Sequence, residues 1–429
     1  MKTNEKDTKQ EVVPTLRFPK FHGSKGWDLK PLSDYLTEYR QKSDGRSKVH
    51  SVSLSKGIVN QIEYLGRSFS ADDTSHYKLV KPYDVVYTKS PTGDFPYGIV
   101  KQNFNSYNVI VSPLYGVFTP NNQYIGYIIH SIFESAIRLN NYLSTLIQKG
   151  AKNTIQISND TFISKEILLP DNEDEQQKIA DCLSSIDALI KATENKIDEL
   201  KAHKKGLMQH LFPAKGKTVP ELRFPEFQNA GEWKPYKLND FGSFFRGLTY
   251  STTDVSNDNE GIGVLRSTNI QDNRLILDRD LVFVNKTCTA EQRLKKGDVV
   301  ICMSNGSKTL VGKNAEFDQD ISYDLTIGAF CSIFRPKNIF AKYLLQTDSY
   351  TKFISLAIGG GNINNLKNSD LENFIQFTPV KPKEQQKIAD CLSSIDDLIV
   401  SQTKRLEALK IHKKGLMQQL FPNINDIKA

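Results

Sequence analysis

A stretch of 39 residues occurs twice in this chain. The segment 175–213, EQQKIADCLSSIDALIKATENKIDELKAHKKGLMQHLFP, returns 209 residues later at 384–422 as EQQKIADCLSSIDDLIVSQTKRLEALKIHKKGLMQQLFP, with 27 of the 39 positions identical. Shorter echoes lie ahead of each copy. PTLRFPKF at 14–21 comes back as PELRFPEF at 220–227, and Trp27-x4-Leu32-x-Asp34 as Trp233-x4-Leu238-x-Asp240. The long stretches between these borders barely resemble each other. An internal repeat sets the domain plan before any single element can be read. Matching borders around differing contents describe two exchangeable modules on one shared frame.

The repeated segment reads as a coiled-coil helix. Ile179, Leu183, Ile186, Ile190, Thr193, Ile197, Leu200, Lys204, Leu207 and Leu211 fall alternately four and three apart, the apolar seam of a heptad repeat. The second copy repeats it as Ile388, Leu392, Ile395, Ile399, Gln402, Leu406, Leu409, Lys413, Leu416 and Leu420, with polar residues at the same two layers. Pro170 and Pro382 precede the helices, acidic residues fill the first turn of the first copy, and lysines lie near both C-terminal ends. That charge order suits the helix dipole. Pro213 and Pro422 stop each helix. A lone stripe of this kind is usually core packing, but two of equal length offer each other a partner. Antiparallel pairing carries each helix from one module to the other and gives a pseudo-two-fold repeat, with Thr193 and Gln402 meeting near the centre as a register-setting polar layer.

At 429 residues the chain is too long for one core. The expected plan is a flexible lead at 1–13, a first module at 14–170, a central helix at 171–213 and a linker at 214–219. A second module at 220–380, a C-terminal helix at 381–422 and a tail at 423–429 follow. The fold class is mixed, α/β or α+β: two globular domains joined by two long helices paired as an antiparallel coiled coil. Expected strands in the first module are 79–88 and 107–118, with a helix over 121–148. In the second they are 262–270, 281–284, 298–303 and 328–334, with a helix over 338–357. Pro82-Tyr83-Asp84-Val85-Val86 and Lys296-Gly297-Asp298-Val299-Val300 share a turn-then-Asp-Val-Val signal, which marks the modules as diverged copies of one fold.

The net charge of +7 is unevenly spread. Residues 14–170 carry a net +6, residues 220–380 a net −1 and the first helix region, 171–213, a net −3. A basic first module is compatible with a phosphate-binding surface, although many soluble domains reach that charge. No apolar run approaches the ~18 residues of a membrane span, so no membrane role is expected. The five cysteines form no C-x-x-C pair and the histidines do not cluster near them, which favours reduced core thiols in a cytoplasmic protein over zinc or disulfides.

The informative loops mix glycine, small polar residues and isolated Arg, Lys or Asn. They are 43–48 (SDGRSK) with Lys56 and Arg67, 89–97 (KSPTGDFPY), 245–252 (FRGLTYST), 266–269 (RSTN), 304–309 (SNGSKT) and 359–367 (GGGNINNLK). Such side chains suit base-edge readout, Arg or Lys to guanine and Asn or Gln to adenine. Surface turns are built from the same residues, and only placement in two differing modules favours the DNA reading. The candidate DNA contacts are Arg46, Lys56, Arg67 and Lys89 in the first module. In the second they are Arg246, Tyr250, Arg266, Asn269, Asn305, Ser307, Lys308, Asn362, Asn364 and Lys367.

With these motifs assembled, the chain resembles the specificity subunit of a type I restriction–modification system over nearly its whole length. The resemblance rests on the PxLRFPxF…W entry to each module and on strand signals such as Val111-Ser112-Pro113-Leu114-Tyr115. The E-Q-Q-K-I-A approach and H-K-K-G-L-M-Q-x-L-F-P exit of each helix complete it. It implies two target-recognition domains that each read half of a split, asymmetric double-stranded DNA sequence. It also implies helices that act as a spacer and bind two methyltransferase subunits, which use S-adenosylmethionine to methylate adenine N6. Separate motor-nuclease subunits would use ATP and Mg, and this chain would bind no cofactor or metal.

The residues agree by omission. The chain contains neither an Asn-Pro nor a Pro-Pro pair, so the N/D-P-P-[FYW] motif of adenine-N6 methyltransferases is missing. The stretch 304–314 lacks Walker spacing, no E-x-K follows Pro170-Asp171, and no Ser/His/Asp arrangement is visible. The expectation is a non-catalytic specificity subunit. The alternatives are a coiled-coil scaffold, which would not need two divergent loop-rich modules, and a self-contained DNA-modifying enzyme, which lacks its motifs. Positive net charge argues against a DNA mimic.

From Glu175 to Leu211 a continuous helix would span about 55 Å at ~1.5 Å per residue, enough to reach successive major grooves ~34 Å apart. Deleting one heptad from both helices keeps the seam in register while shortening the rod by roughly 10 Å, about three base pairs. The expected outcome is a shorter non-specific gap in the target with both half-sites unchanged, read by sequencing the methylated sites. An unchanged gap in an active complex would refute the ruler.

Overall fold

The computed structural model describes residues 11–149, 155–258, 260–359 and 365–422. The chain divides into two compact units, Met1–Glu194 with Lys404–Ala429 and Asn195–Thr403. Each unit holds one module, the N-terminal half of one long helix and the C-terminal half of the other. The helices are Glu173–Leu211 and Pro382–Leu420.

Within each unit the two half-helices run antiparallel. In the first, Ile179 and Leu183 share a core with Leu416 and Leu420. In the second, Leu207 and Leu211 share a core with Ile388 and Leu392. All twenty seam positions are buried or half-buried. Three of the polar seam residues, Thr193, Lys204 and Lys413, have definite partners. Thr193 is buried, and its hydroxyl donates to the Leu189 carbonyl on its own helix at 2.7 Å. Lys413 reaches Asp187 at 2.6 Å and Glu134 at 2.8 Å. Its counterpart Lys204 reaches Asp396 at 2.6 Å and Gln346 at 2.8 Å. Each aspartate also accepts from a module tyrosine, Tyr127 on Asp187 and Tyr343 on Asp396. The seam lysines therefore tie helix to helix and helix to module in one network.

Module sheets repeat the same plan. In the first, four antiparallel strands lie in the order Leu36–Glu38, Gly116–Pro120, Val85–Tyr87 and Val100–Gln102. In the second, six strands run Gly242–Arg246, Cys331–Pro336, Val299–Cys302, Asn314–Glu316, Arg274–Leu275 and Ile270–Gln271. The registers Val85 opposite Phe118 and Val299 opposite Phe334 correspond. In both modules a strand just after the tryptophan pairs with one just before the helix, Leu29–Pro31 with Glu166–Leu168 and Lys234–Lys237 with Ile375–Thr378.

Side-chain alternation gives each sheet two jobs. Val299 and Ile301 face the core that contains the helix ends, while Val300 and Cys302 face a second core with Leu265, Leu325 and Ile327. Val85 and Tyr87 likewise join the helix ends, and Val86 joins Val109 and Val111. The helix exits complete the first of these cores. Phe421 packs on Trp27 and Phe212 on Trp233, each with ring centroids 6.1 Å apart. Backbone bonds from Leu16 to Gln419 (3.1 Å) and Leu222 to His210 (2.9 Å) accompany them. At each helix start a buried arginine from the LRFP border grips a glutamate with two bonds. Arg17 reaches Glu175 at 2.7 and 2.8 Å, and Arg223 reaches Glu384 at 2.7 and 2.9 Å.

Several expected elements are shorter than their apolar runs. The strand expected over 79–88 is broken at Tyr83, whose φ is 68°, and Asp84 caps that turn by accepting from the Lys81 N–H at 2.8 Å. Asp298 does the same for Lys295 at 2.8 Å, so the shared Asp-Val-Val signal is a turn cap followed by a strand. The strand expected over 107–118 is two, Val109–Val111 and Gly116–Pro120. The helices expected over 121–148 and 338–357 each divide, into Gln123–Phe133 with Ala136–Ser144 and into Ala341–Leu344 with Asp348–Gly359. Ser135 caps the second helix of the first pair through the Arg138 N–H at 3.4 Å. Val12 pairs with Trp27 through backbone bonds of 3.0 and 2.8 Å, tying the start of the described chain to the first module.

Breaking one partner of a buried ion pair leaves an uncompensated charge and costs about 3–5 kcal/mol. Glu384→Gln should therefore destabilise the second unit by that order. Urea unfolding in a Trp27→Phe background, where Trp233 is the sole indole, reads it directly. A loss below about 1 kcal/mol would show that the pair does not hold the helix start.

Candidate nucleic-acid interface

In the second module the loops singled out from sequence converge at one end of the sheet. The backbone of Leu248 bridges Gly328, and the Leu248 N–H donates to the Ile327 carbonyl at 2.7 Å. Gly247 is obligatory there, because a Cβ would lie 2.1 Å from the Gly328 carbonyl oxygen. Gly328 donates its N–H to the Leu265 carbonyl at 2.8 Å, next to Arg266. Ser304 bridges Asn365, and the Asn305 amide donates to the Ser267 hydroxyl at 3.1 Å. Residues 246–250, 266–269, 304–309 and 365–367 therefore form one cluster around the tight turn 328–331.

The individual candidates differ in what they can reach. Arg246, Ser307, Lys308 and Lys367 are exposed, as is Arg266, although its guanidinium donates to the Asp280 carbonyl at 3.0 Å. Tyr250 is half-buried against the turn. Asn305 is half-buried, and its carbonyl oxygen accepts from the Ser307 N–H at 3.0 Å, shaping its own loop. Asn269 does not fit the expected DNA contact. It is 1 % exposed, its amide donates to the Ile276 and Arg279 carbonyls at 2.8 and 2.9 Å, and its oxygen accepts from the Arg266 N–H at 2.9 Å. Its polar atoms are committed to the turn that presents Arg266. Asn362 and Asn364 lie outside the described residues.

The first module spreads its candidates more widely. Lys56 caps the hairpin of His50–Ser53 and Gly57–Asn60, and Arg46 lies beyond its other end. Asp44 holds the Arg46 loop by accepting from the Arg46 and Ser47 N–H groups at 3.0 and 2.8 Å. Arg67 follows the short helix Gln61–Leu65, with its guanidinium 4.4 Å from the Phe69 ring centre. Lys89 has φ 60°, and Gly98 passes so close that a Cβ there would meet the Lys89 nitrogen at 2.7 Å. Burial pushes the Lys89 amine below its usual range, and the charge of Lys78 adds to that. Lys78 is half-buried and donates to the Tyr115 carbonyl at 2.6 Å. Lys78 is the first residue of the strand Lys78–Val80 and lies outside the loops singled out from sequence. The structure thus brings Lys89 towards Lys78, while Arg46 and Lys56 stand at opposite ends of one hairpin.

Among the described residues no group of His, Cys, Asp or Glu is arranged to hold a metal ion. No described helix is long and apolar enough to cross a membrane.

Comparison with known proteins gives a consistent picture. A family model described as the type I restriction modification DNA specificity domain matches residues 58–202 and 230–410. The specificity subunit of the type I restriction enzyme EcoKI from Escherichia coli K12 is 32 % identical over 187 residues, which cover 41 % of this chain and 39 % of that protein. The MjaVIII specificity subunit of Methanocaldococcus jannaschii is 29 % identical over 278 residues, covering 61 % of this chain and 62 % of that protein. These alignments thus span less than two thirds of each relative. The crystal structure of a type I restriction-modification S subunit from M. genitalium shares the fold, with a TM-score of 0.61 at 13 % identity over 96 % of this chain and all of that one.

A buried amide that loses its side chain leaves its partners unsatisfied, at about 1–3 kcal/mol. Asn269→Ala should cost that much, whereas Lys308→Ala, on an exposed turn, should stay within about 0.5 kcal/mol. Urea unfolding followed by Trp233 fluorescence separates the two. Equal effects would remove the distinction between the residue that builds the loop and the one it presents.

Proposed function

We propose, starting from the fact that this chain belongs to the type I restriction modification DNA specificity family, that it reads a bipartite double-stranded DNA target, one half-site per module. One observation carries this reading. Each module sheet commits one face to the repeated helices and the other to a lobe whose loops differ between modules. Base readout is local to the groove a module occupies, so a shared frame with differing loops supplies two specificities. Arg46, Lys56, Arg67, Lys89, Arg246, Tyr250, Arg266, Ser307, Lys308 and Lys367 are the side chains offered to DNA. Asn305 and Asn269 shape the loops that offer them.

The chemistry belongs to partners in this reading. Two methyltransferase subunits using S-adenosylmethionine would modify adenine N6, and motor-nuclease subunits using ATP and Mg would cut unmodified DNA, all in the cytoplasm. The helices carry a feature suited to docking such subunits. Leu189 and Leu398, equivalent positions in the repeat, are 45 % and 51 % exposed rather than in the seam. Being equivalent in the repeat, they offer the same contact point to each of two copies of one partner.

Replacing residues 220–380 with the corresponding module of a relative should change one half of the methylated sequence and leave the other intact. The readout is methylation mapping of DNA from cells carrying the chimera with its partner subunits. A change in both halves would refute the modular reading, and absence of sequence-specific methylation with the parent chain would refute the function itself.

A further inference from the structure

Both modules place a large apolar side chain in solvent at the same point of the fold. In the first, residues 112–115 form a turn closed by the Tyr115 N–H on the Ser112 carbonyl at 3.1 Å. In the second, residues 328–331 form the same turn, closed by Cys331 on Gly328 at 2.9 Å. Each turn joins a short strand to the one that carries Phe118 or Phe334 in matching register. The third residue is Leu114 in one and Phe330 in the other, 74 % and 70 % exposed. A single exposed leucine is ordinary on a protein surface. The same turn position, filled by two different large apolar residues in modules whose loops otherwise diverge, calls for a shared partner.

The surroundings say what that partner is. The Phe330 carbonyl accepts from the Met303 and Ser304 N–H groups at 2.9 and 3.2 Å, so its backbone is pinned beside the 304–309 loop. Arg246 lies on the neighbouring strand, opposite Ser332. Leu114 adjoins the carbonyl that holds the Lys78 ammonium. Each apolar tip is thus rigid and flanked by cationic or hydrogen-bonding groups, the mixture suited to the major groove. On the base edges of that groove the apolar group is the C5 methyl of thymine, and Phe and aliphatic side chains contact it. We infer that Leu114 and Phe330 are specificity-determining residues that each pack on a thymine methyl, one in each half-site. This rests on the DNA-reading function above and assigns it a contact of definite chemistry.

The experiment uses the full chain assembled with its methyltransferase subunits and a randomised duplex pool. Bound DNA is selected and sequenced for the parent and for Phe330→Ala, Leu114→Ala and the apolar control Phe330→Leu. Phe330→Ala is expected to relax one thymine position in one half-site, Leu114→Ala one position in the other, and Phe330→Leu to keep the thymine. On the selected duplex, deoxyuridine at that thymine should weaken the parent about fourfold, the worth of one buried methyl group. It should weaken Phe330→Ala no further. Uniform weakening across all sequences, as from a wedge that unstacks bases, or an unaltered selection would overturn the inference while leaving the specificity function standing. A parent complex that selects no sequence would overturn both.

Discussion

Leu420 and Phe421 stand against Trp27 in a core that also holds Ile179 and Leu183. The matching core around Trp233 is completed by Leu211 and Phe212 together with Ile388 and Leu392. Each module therefore lacks a finished interior without the start of one repeated helix and the end of the other. The other shared features follow from that. The LRFP border supplies the arginine that neutralises the buried glutamate at the helix start, and the LFP exit supplies the aromatic that covers the module tryptophan. The borders match because both cores require the same pieces, while the differing loops reach these cores through residues such as Phe95 and Leu366.

The network of seam lysine, aspartate and tyrosine adds orientation to that packing. A lysine in an apolar seam would be costly if its ammonium were left unpaired. Here it meets a carboxylate from the antiparallel helix, and that carboxylate meets a tyrosine hydroxyl from the module. In the first unit Glu134 joins as well, bonded by Lys101 at 2.9 Å and Lys413 at 2.8 Å. Burial favours its neutral form, but the hydrogen bond with His130, and after it the Lys101 and Lys413 charges, draw Glu134 well below the ordinary carboxylate range. Such pairs contribute little net stability but favour one rotation of each helix about its axis, since any other leaves charges unpaired.

The heptad seam could be read from the sequence because its signal is local: four-and-three spacing is visible in any window of a dozen residues. The partners of its polar members could not. Asp187 and Lys413 are far apart in sequence, and nothing near either one announces the other. Loop membership was legible from glycine and small polar residues, yet side-chain direction was not. Asn269 and Asn305 occupy similar-looking polar loops, yet the first is buried and bonded within its own 266–279 segment while the second is half-buried and reaches Ser267. Lys78 falls just ahead of the strand expected from residue 79, and Phe330 lies in the run 328–334 that reads as continuous strand and folds instead into a turn at 328–331. The split of 121–148 into two helices turns on Ser135 acting as a cap, a role any serine in a helical pattern can take or decline.

The first unit is assembled from two segments far apart in the chain, residue 12 lying in one and residue 421 in the other, whereas the second is one uninterrupted stretch from Asn195 to Thr403. On a ribosome the usual order is N-terminal domain first. In this chain the first unit cannot be completed in that order, because its core stays open, with Trp27 uncovered, until Phe421 has been made. During that interval its unfinished face is exposed apolar surface that must be shielded or tolerated. The closure of the first unit joins residues far apart in sequence, and such non-local contacts slow folding.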